Sequence, residues 1–242
     1  MELRIFQKGF NYSQDGPGNR LVYHLQGCNL RCPWCANPEG LSVEGGERYP
    51  VEALVQEVLR SRAMFFDGGG VTLTGGEVTL QFDALKELLT RLHAEGVSAC
   101  IETNGCSPRL PELFGLLDTL IMDVKHYDPD IHRAVTGASC AQTFQNIRAA
   151  LEAGQKLALR IPVIGGFNAS AEDAEGFAQR LTELGVPGRA TVELLAYHEY
   201  GKSKYEQLGL PYRMTEQARV NREILQRLSL RLQQAGIQMI HT

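Results

Sequence analysis

Hydrophobic residues along the chain fall into two alternating patterns. Some form short, near-continuous runs; others recur every three or four positions over longer stretches. The runs predict strands at 20–26, 71–74, 97–102, 120–125, 156–164 and 191–195, with a weak last one at 237–241. The spaced stretches predict helices at 50–64, 80–95, 108–117, 129–135, 143–153, 171–184 and 215–235. Within 50–64 the apolar face is Val51, Leu54, Val55, Val58 and Leu59, behind Pro50, which a first helical turn tolerates. Gly96 and Gly154 close two of the helices. Asp15-Gly16-Pro17-Gly18 predicts a tight turn ahead of the first strand, and 37–47 is polar and turn-rich.

Strands alternating with helices over short connections argue for a parallel sheet. Six strands precede the long helix at 215–235, fewer than the eight of a closed barrel. The expected architecture is a single α/β domain over residues 1–242. A dinucleotide-binding domain is disfavoured, because no G-x-G-x-x-G follows the first strand and Gly75-Gly76-Glu77 is too short to serve. Polar residues and glycines gather just after each strand, at the carboxyl ends where parallel sheets hold ligands.

Composition narrows the class. With 43% apolar and 21% charged residues, the chain has the make-up of a globular protein with a core. A net charge of −4 gives no electrostatic reason to expect nucleic acid or an anionic membrane as partner. Met1-Glu2-Leu3-Arg4-Ile5-Phe6-Gln7-Lys8 lacks the apolar core of a secretory signal, and no apolar run reaches the length of a membrane span. Six cysteines, three of them clustered, suit a reducing cytoplasm and a metal site better than a disulfide scaffold. A cytoplasmic enzyme is the expectation.

The clustered cysteines are Cys28, Cys32 and Cys35, in Gly27-Cys28-Asn29-Leu30-Arg31-Cys32-Pro33-Trp34-Cys35 after the first strand. Three thiolates on one tight loop can hold three corners of a cubic iron–sulfur cluster. Cluster ligation ordinarily takes four, so one iron would stay open. An open metal position marks a site that binds substrate. A structural zinc site would instead recruit a fourth Cys or His, for which His24 is the nearby candidate. Cys100, Cys106 and Cys140 are scattered, and Cys100 reads as a core residue.

Further polar groups stand at successive strand ends: Gly75-Gly76-Glu77, Glu102-Thr103-Asn104, Asp123-Val124-Lys125, Arg160 and Tyr197-His198-Glu199. Each alone has an ordinary reading: a turn carboxylate for Glu77, a local ion pair for Asp123 and Lys125, a surface histidine for His198. As a set in register they resemble a known family. The C-x3-C-x2-C loop, with an aromatic before its last cysteine, is similar to the signature of the radical S-adenosylmethionine (SAM) enzymes. Asp15-Gly16-Pro17-Gly18, Thr74-Gly75-Gly76-Glu77, Thr103-Asn104-Gly105, Met122-Asp123-Val124-Lys125 and Tyr197-His198-Glu199-Tyr200-Gly201-Lys202 extend the likeness over nearly the whole chain. They resemble the activating enzymes of glycyl radical enzymes, the pyruvate formate-lyase branch above all.

The resemblance implies a partial (β/α)6 barrel of the radical SAM type. It implies one [4Fe-4S] cluster on Cys28, Cys32 and Cys35, with SAM chelating the fourth iron. Glu77 would bind the SAM amino group, with Gly75 and Gly76 beside it, and Trp34 would face the adenine. Asn104, Asp123, Lys125 and His198 match positions lining the SAM ribose and carboxylate, and Arg160 a basic residue near the methionine moiety. Glu102 and Thr103, with Asp123, match a monovalent-cation site, Glu102 standing where the family carries aspartate. Asp15, Gly16, Pro17 and Gly18 would meet the glycine loop of the partner.

The implied reaction draws one electron from a flavodoxin- or ferredoxin-type donor. SAM is cleaved reductively to methionine and a 5′-deoxyadenosyl radical, which takes a hydrogen atom from a glycine Cα of the partner enzyme. No cysteine falls in 43–66, so the ferredoxin-like insert of many such activases is absent and a single cluster is expected. Trp34-Cys35-Ala36-Asn37-Pro38-Glu39 is nonetheless closer to the cluster loop of the insert-bearing activases, which leaves the partner open. Two other readings stand beside this one: a radical SAM enzyme acting on a small molecule, and a zinc-binding interaction module.

Overall fold

The computed structural model describes residues 1–241. Two compact units interleave along the chain. The first is built from Met1–Asn29, Glu39–Thr103 and Ser107–Ile121, the second from Leu30–Pro38, Asn104–Cys106 and the chain from Met122 onward.

The first unit opens with β1 (Glu2–Tyr12), which turns back through the Asp15–Gly18 turn into β2 (Asn19–Leu25). The two pair antiparallel with a register shift between Ile5 and Gln7. β3 (Glu47–Pro50) pairs antiparallel with Glu2–Ile5 of β1. After α1 (Val51–Arg60), β4 (Gly70–Gly75) runs parallel to β2. α2 (Phe82–Ala94) then leads to β5 (Ala99–Thr103), parallel to β4. β6 (Thr119–Asp123) starts in the first unit and ends in the second. α1 buries Val51, Leu54, Val55 and Val58, and α2 buries Phe82, Leu85, Leu88, Leu89 and Leu92. Each fully buried aliphatic side chain of this kind stabilises the fold by about 1.5–3 kcal/mol over leaving it in water.

The second unit continues with α3 (Pro129–Thr136), α4 (Ala141–Glu152), β7 (Leu157–Val163), α5 (Ala171–Glu183), β8 (Thr191–Ala196), α6 (Lys202–Gln207), α7 (Arg222–Gln234) and β9 (Gln238–Ile240). β7, β8 and β9 are parallel. α3 begins where the Asp128 carboxylate accepts from the backbone N–H groups of Asp130 and Ile131. It ends at Gly137, whose φ of 91° is the left-handed value that favours glycine. α5 is opened by a reciprocal Ser170–Asp173 capping box.

The strand order is β3-β1-β2-β4-β5-β6-β7-β8-β9, so the sheet has two open edges and does not close on itself. The six strands β2, β4, β5, β6, β7 and β8 follow one another in that order, the count a partial (β/α)6 barrel requires. Three elements lie outside the hydrophobic pattern: β1, β3 and α6. Two predicted helices take a different form. The segment at 108–117 is a 3-10 helix, Leu110–Leu116, with a proline in its first turn. The long helix at 215–235 is interrupted: a 3-10 turn, Glu216–Ala218, precedes Asn221, whose Oδ1 accepts from Ile224 N and starts α7 afresh. Among the described residues no helix is long and apolar enough to cross a membrane.

Candidate active site

Cys28 follows β2 in the first unit, and backbone bonds set its place. Gly27 N donates to Gly40 O at 2.9 Å, Cys28 N to Leu41 O at 3.3 Å, and Glu77 N to Gly27 O at 2.7 Å. Gly76 packs against this turn: a Cβ there would lie 2.0 Å from Gly27 O. At Gly75, with φ 115°, a Cβ would lie 2.4 Å from Leu25 N. The missing side chains of these two glycines make room for the protein's own backbone.

Glu77 is 1% exposed. Its Oε1 accepts from Thr79 N at 3.0 Å, Thr79 Oγ1 at 2.6 Å and Thr103 Oγ1 at 2.7 Å. Charge-assisted bonds of this kind fix the carboxylate as an acceptor beside the Gly27–Cys28 turn. On the adjoining strand ends, Thr74 Oγ1 donates to Glu102 Oε2 at 2.8 Å.

The Asp15–Gly18 turn lies at the other end of β2. β2 is seven residues long, so the turn and the cysteine loop are roughly 20 Å apart along the strand. Arg20, 1% exposed, holds the turn. Its Nε donates to Thr72 Oγ1 at 2.7 Å and its Nη1 to Pro17 O at 3.1 Å, while Thr72 Oγ1 donates to Asp15 O at 2.6 Å. Burial draws the Arg20 guanidinium below its ordinary pKa.

In the second unit, Arg31 N donates to Thr136 O at 2.7 Å and Cys35 N to Cys32 O at 3.1 Å. Cys32 is buried, Cys28 and Cys35 half-buried, and none of the six cysteines is in a disulfide. The Trp34 ring lies 4.9 Å from that of Phe167, which in turn lies 5.0 Å from that of His126. Lys204 Nζ donates to Asn37 Oδ1 at 2.8 Å. The buried Tyr205 hydroxyl is pushed up to about 12, first by burial and then by the charge of Cys35 and Cys32.

The strand ends of this unit are built with partners of their own. Asn104 is buried, its Oδ1 accepting from Cys106 N at 3.0 Å and its carbonyl from Thr143 Oγ1 at 2.8 Å. Lys125 Nζ reaches Asp123 Oδ2 at 2.7 Å, and Arg160 Nε reaches the buried Glu193 Oε2 at 3.0 Å. The fully buried Asn168 donates to Lys125 O and Pro162 O, both at 2.8 Å, and fixes the backbone from which Lys125 projects. His198 is exposed, its ring stacked on Tyr200 at 4.1 Å. Thr79, Glu193, Asn168, Gly201 and Lys204 lie outside the predicted set. The Tyr197–Lys202 block was the available signal for Gly201, with Lys204 just beyond it, while Glu193 in the middle of β8 and Asn168 past the end of β7 carry no such mark.

Comparison with known proteins shows the family of the chain. The radical SAM superfamily model matches residues 22–181. Pyruvate formate-lyase 1-activating enzyme of Escherichia coli (strain K12) is 31% identical over 227 residues, covering 92% of this chain and 92% of its own. Benzylsuccinate synthase activating enzyme of Thauera aromatica is 29% identical over 262 residues, covering 81% and 78%. Among solved structures, a radical SAM methyltransferase from Sphaerobacter thermophilus shares the fold with a TM-score of 0.67 at 17% identity, over 99% of this chain and 76% of its own. The chain belongs to the radical SAM superfamily, in the glycyl radical enzyme activating family that the first two relatives represent.

Proposed function

We propose that the protein is the activase of a glycyl radical enzyme. The observation that carries the reading is the bond from Glu77 N to Gly27 O, which seats a buried, acceptor-fixed carboxylate one residue from Cys28. The donor set suits the cluster: three cysteines outside any disulfide, within one short loop. A [4Fe-4S] cluster on Cys28, Cys32 and Cys35, with SAM bound, supplies reductive SAM cleavage and the 5′-deoxyadenosyl radical that takes hydrogen from a glycine Cα.

The chain's residues then have separate tasks. Glu77 accepts from the SAM ammonium, and Gly75 and Gly76 keep its strand end tight on the cysteine turn. Trp34, backed by Phe167, offers a flat face to the adenine. Lys125 and Arg160 bring positive charge to the SAM carboxylate, while Asn104, Asp123 and His198 offer polar atoms to the ribose. A monovalent cation at Glu102, Thr103 and Asp123 has to compete with Lys125 for Asp123, while the Thr103 hydroxyl, donating its proton to Glu77, keeps its oxygen lone pairs for the cation. The Asp15–Gly18 turn, roughly 20 Å from the cysteine loop along β2, meets the partner's glycine loop away from the reacting glycine, and that loop must swing out of its own protein to be reached. A flavodoxin- or ferredoxin-type carrier in a reducing cytoplasm supplies the electron.

The test is anaerobic. Reconstituted, reduced protein is mixed with SAM and a candidate glycyl radical enzyme, such as pyruvate formate-lyase or benzylsuccinate synthase. A glycyl radical EPR doublet on the partner, with methionine formed in step, supports the reading. Turnover of SAM with a small molecule and no partner radical points to the small-molecule reading, and a protein that binds zinc without iron to the interaction module.

A further inference from the structure

Gly201 is buried, with an ordinary right-handed backbone of φ −77° and ψ −21°. Nothing in its dihedrals calls for glycine. Room does: a Cβ there would lie 2.3 Å from the Cys35 carbonyl oxygen and 3.2 Å from Ala36 Cα. One turn further on, Lys204 grips the same loop through Asn37 Oδ1 at 2.8 Å. The turn is braced from behind. Tyr205 packs edge-on against Tyr212 at 5.3 Å, and the Tyr212 and Tyr197 hydroxyls meet at 2.7 Å.

We infer that the Gly201–Lys204 turn is a clamp on the cysteine loop. Gly201 and Lys204 are its positioning residues, setting the peptide after Cys35 and so the hold of that thiolate on its cluster. The inference rests on the reading that Cys28, Cys32 and Cys35 carry a [4Fe-4S] cluster. Residues one layer behind the ligands commonly change metal affinity by about 10–100-fold when altered. The coupling is reciprocal, so a loaded loop orders the clamp as the clamp holds the loop.

The experiment follows cluster loss from anaerobically reconstituted holoprotein to an iron chelator by visible absorbance. Lys204→Met keeps the aliphatic stem and removes the donor. It is expected to lose its cluster roughly fivefold faster, the ratio one ordinary hydrogen bond is worth. Lys204→Arg keeps a donor and stays near wild type. Gly201→Ala, which drives a methyl into the Cys35 carbonyl, loses its cluster roughly tenfold faster or more. Cluster loading also slows amide exchange over residues 197–212 in the wild type, and much less in Lys204→Met. Unchanged far-UV circular dichroism and melting of the apo forms separate these effects from unfolding. If Gly201→Ala does not fold, Lys204→Met decides. A wild type that keeps its cluster, with Lys204→Met losing it at the same rate and showing the same exchange, overturns the clamp alone. A wild type that takes up no four-iron cluster overturns the underlying reading and the clamp with it.

Discussion

The loop bearing Cys28, Cys32 and Cys35 is held by different means at its two ends. At Cys28 the holding is backbone on backbone: Gly27 to Gly40, Cys28 to Leu41, Glu77 to Gly27, with Gly76 pressed against the same carbonyl. From Cys32 to Asn37 side chains are added to the backbone contacts of Cys35 with Cys32 and Gly201: Trp34 on Phe167, Phe167 on His126, and Lys204 on Asn37. Backbone pairing tolerates nearly any side chain except where there is no room for one, so the first end fixes a position. Side-chain contacts vary with sequence, so the second end is where a cluster's surroundings can be adjusted.

The largest effect should come from removing the thiols that span both ends. Cys28→Ala, Cys32→Ala and Cys35→Ala are each expected to take bound iron from about four per chain to near none. Iron analysis and visible absorbance check this, with circular dichroism showing the fold kept. Breaking the backbone end comes next. Gly76→Ala puts a methyl 2.0 Å from Gly27 O and should destabilise the protein by about 1–3 kcal/mol in urea melts. Gly9→Ala is the control, since a Cβ there meets nothing within 4 Å.

At the side-chain end, Phe167→Leu removes the ring between Trp34 and His126. It should cost about 0.5–1.5 kcal/mol per aromatic pair and shift the emission of Trp34, the sole tryptophan. The smallest effect is a pH slope. Burial holds His126 below its ordinary pKa, outweighing Asp173 at 3.6 Å and Asp128. The unfolded chain then binds this proton first, so stability is full above about pH 6.5 and falls as pH drops below it. The slope from this group cannot exceed about 1.4 kcal/mol per pH unit. His132, lowered by burial in the same direction, adds its own share. His126→Gln should flatten the acid side of the urea-midpoint profile without abolishing it.

How far the sequence reaches depends on what each element is made of. β4 to β8 are apolar runs bounded by turns, and their period identifies them directly. β1 escapes because its register shifts between Ile5 and Gln7, which breaks the alternation, and Gln7 to Phe10 face solvent. β3 has no buried residue to betray it. The interruption before α7 is visible only through the Asn221 cap, since apolar spacing carries on across it. At the candidate site the sequence displays the strand-end residues but not their partners. That Arg160 meets Glu193 and that Thr103 serves Glu77 depends on which strands lie side by side. Gly201 was legible as part of a motif, while its reason, the Cys35 carbonyl, needed three dimensions.

The most direct test of the central claim is the EPR spectrum of the anaerobically reconstituted, reduced protein, recorded with and without SAM. A [4Fe-4S]1+ signal whose shape changes when SAM is added is expected, because one iron has no cysteine and takes the substrate. A signal that SAM leaves unchanged, or no cluster signal at all, would contradict it.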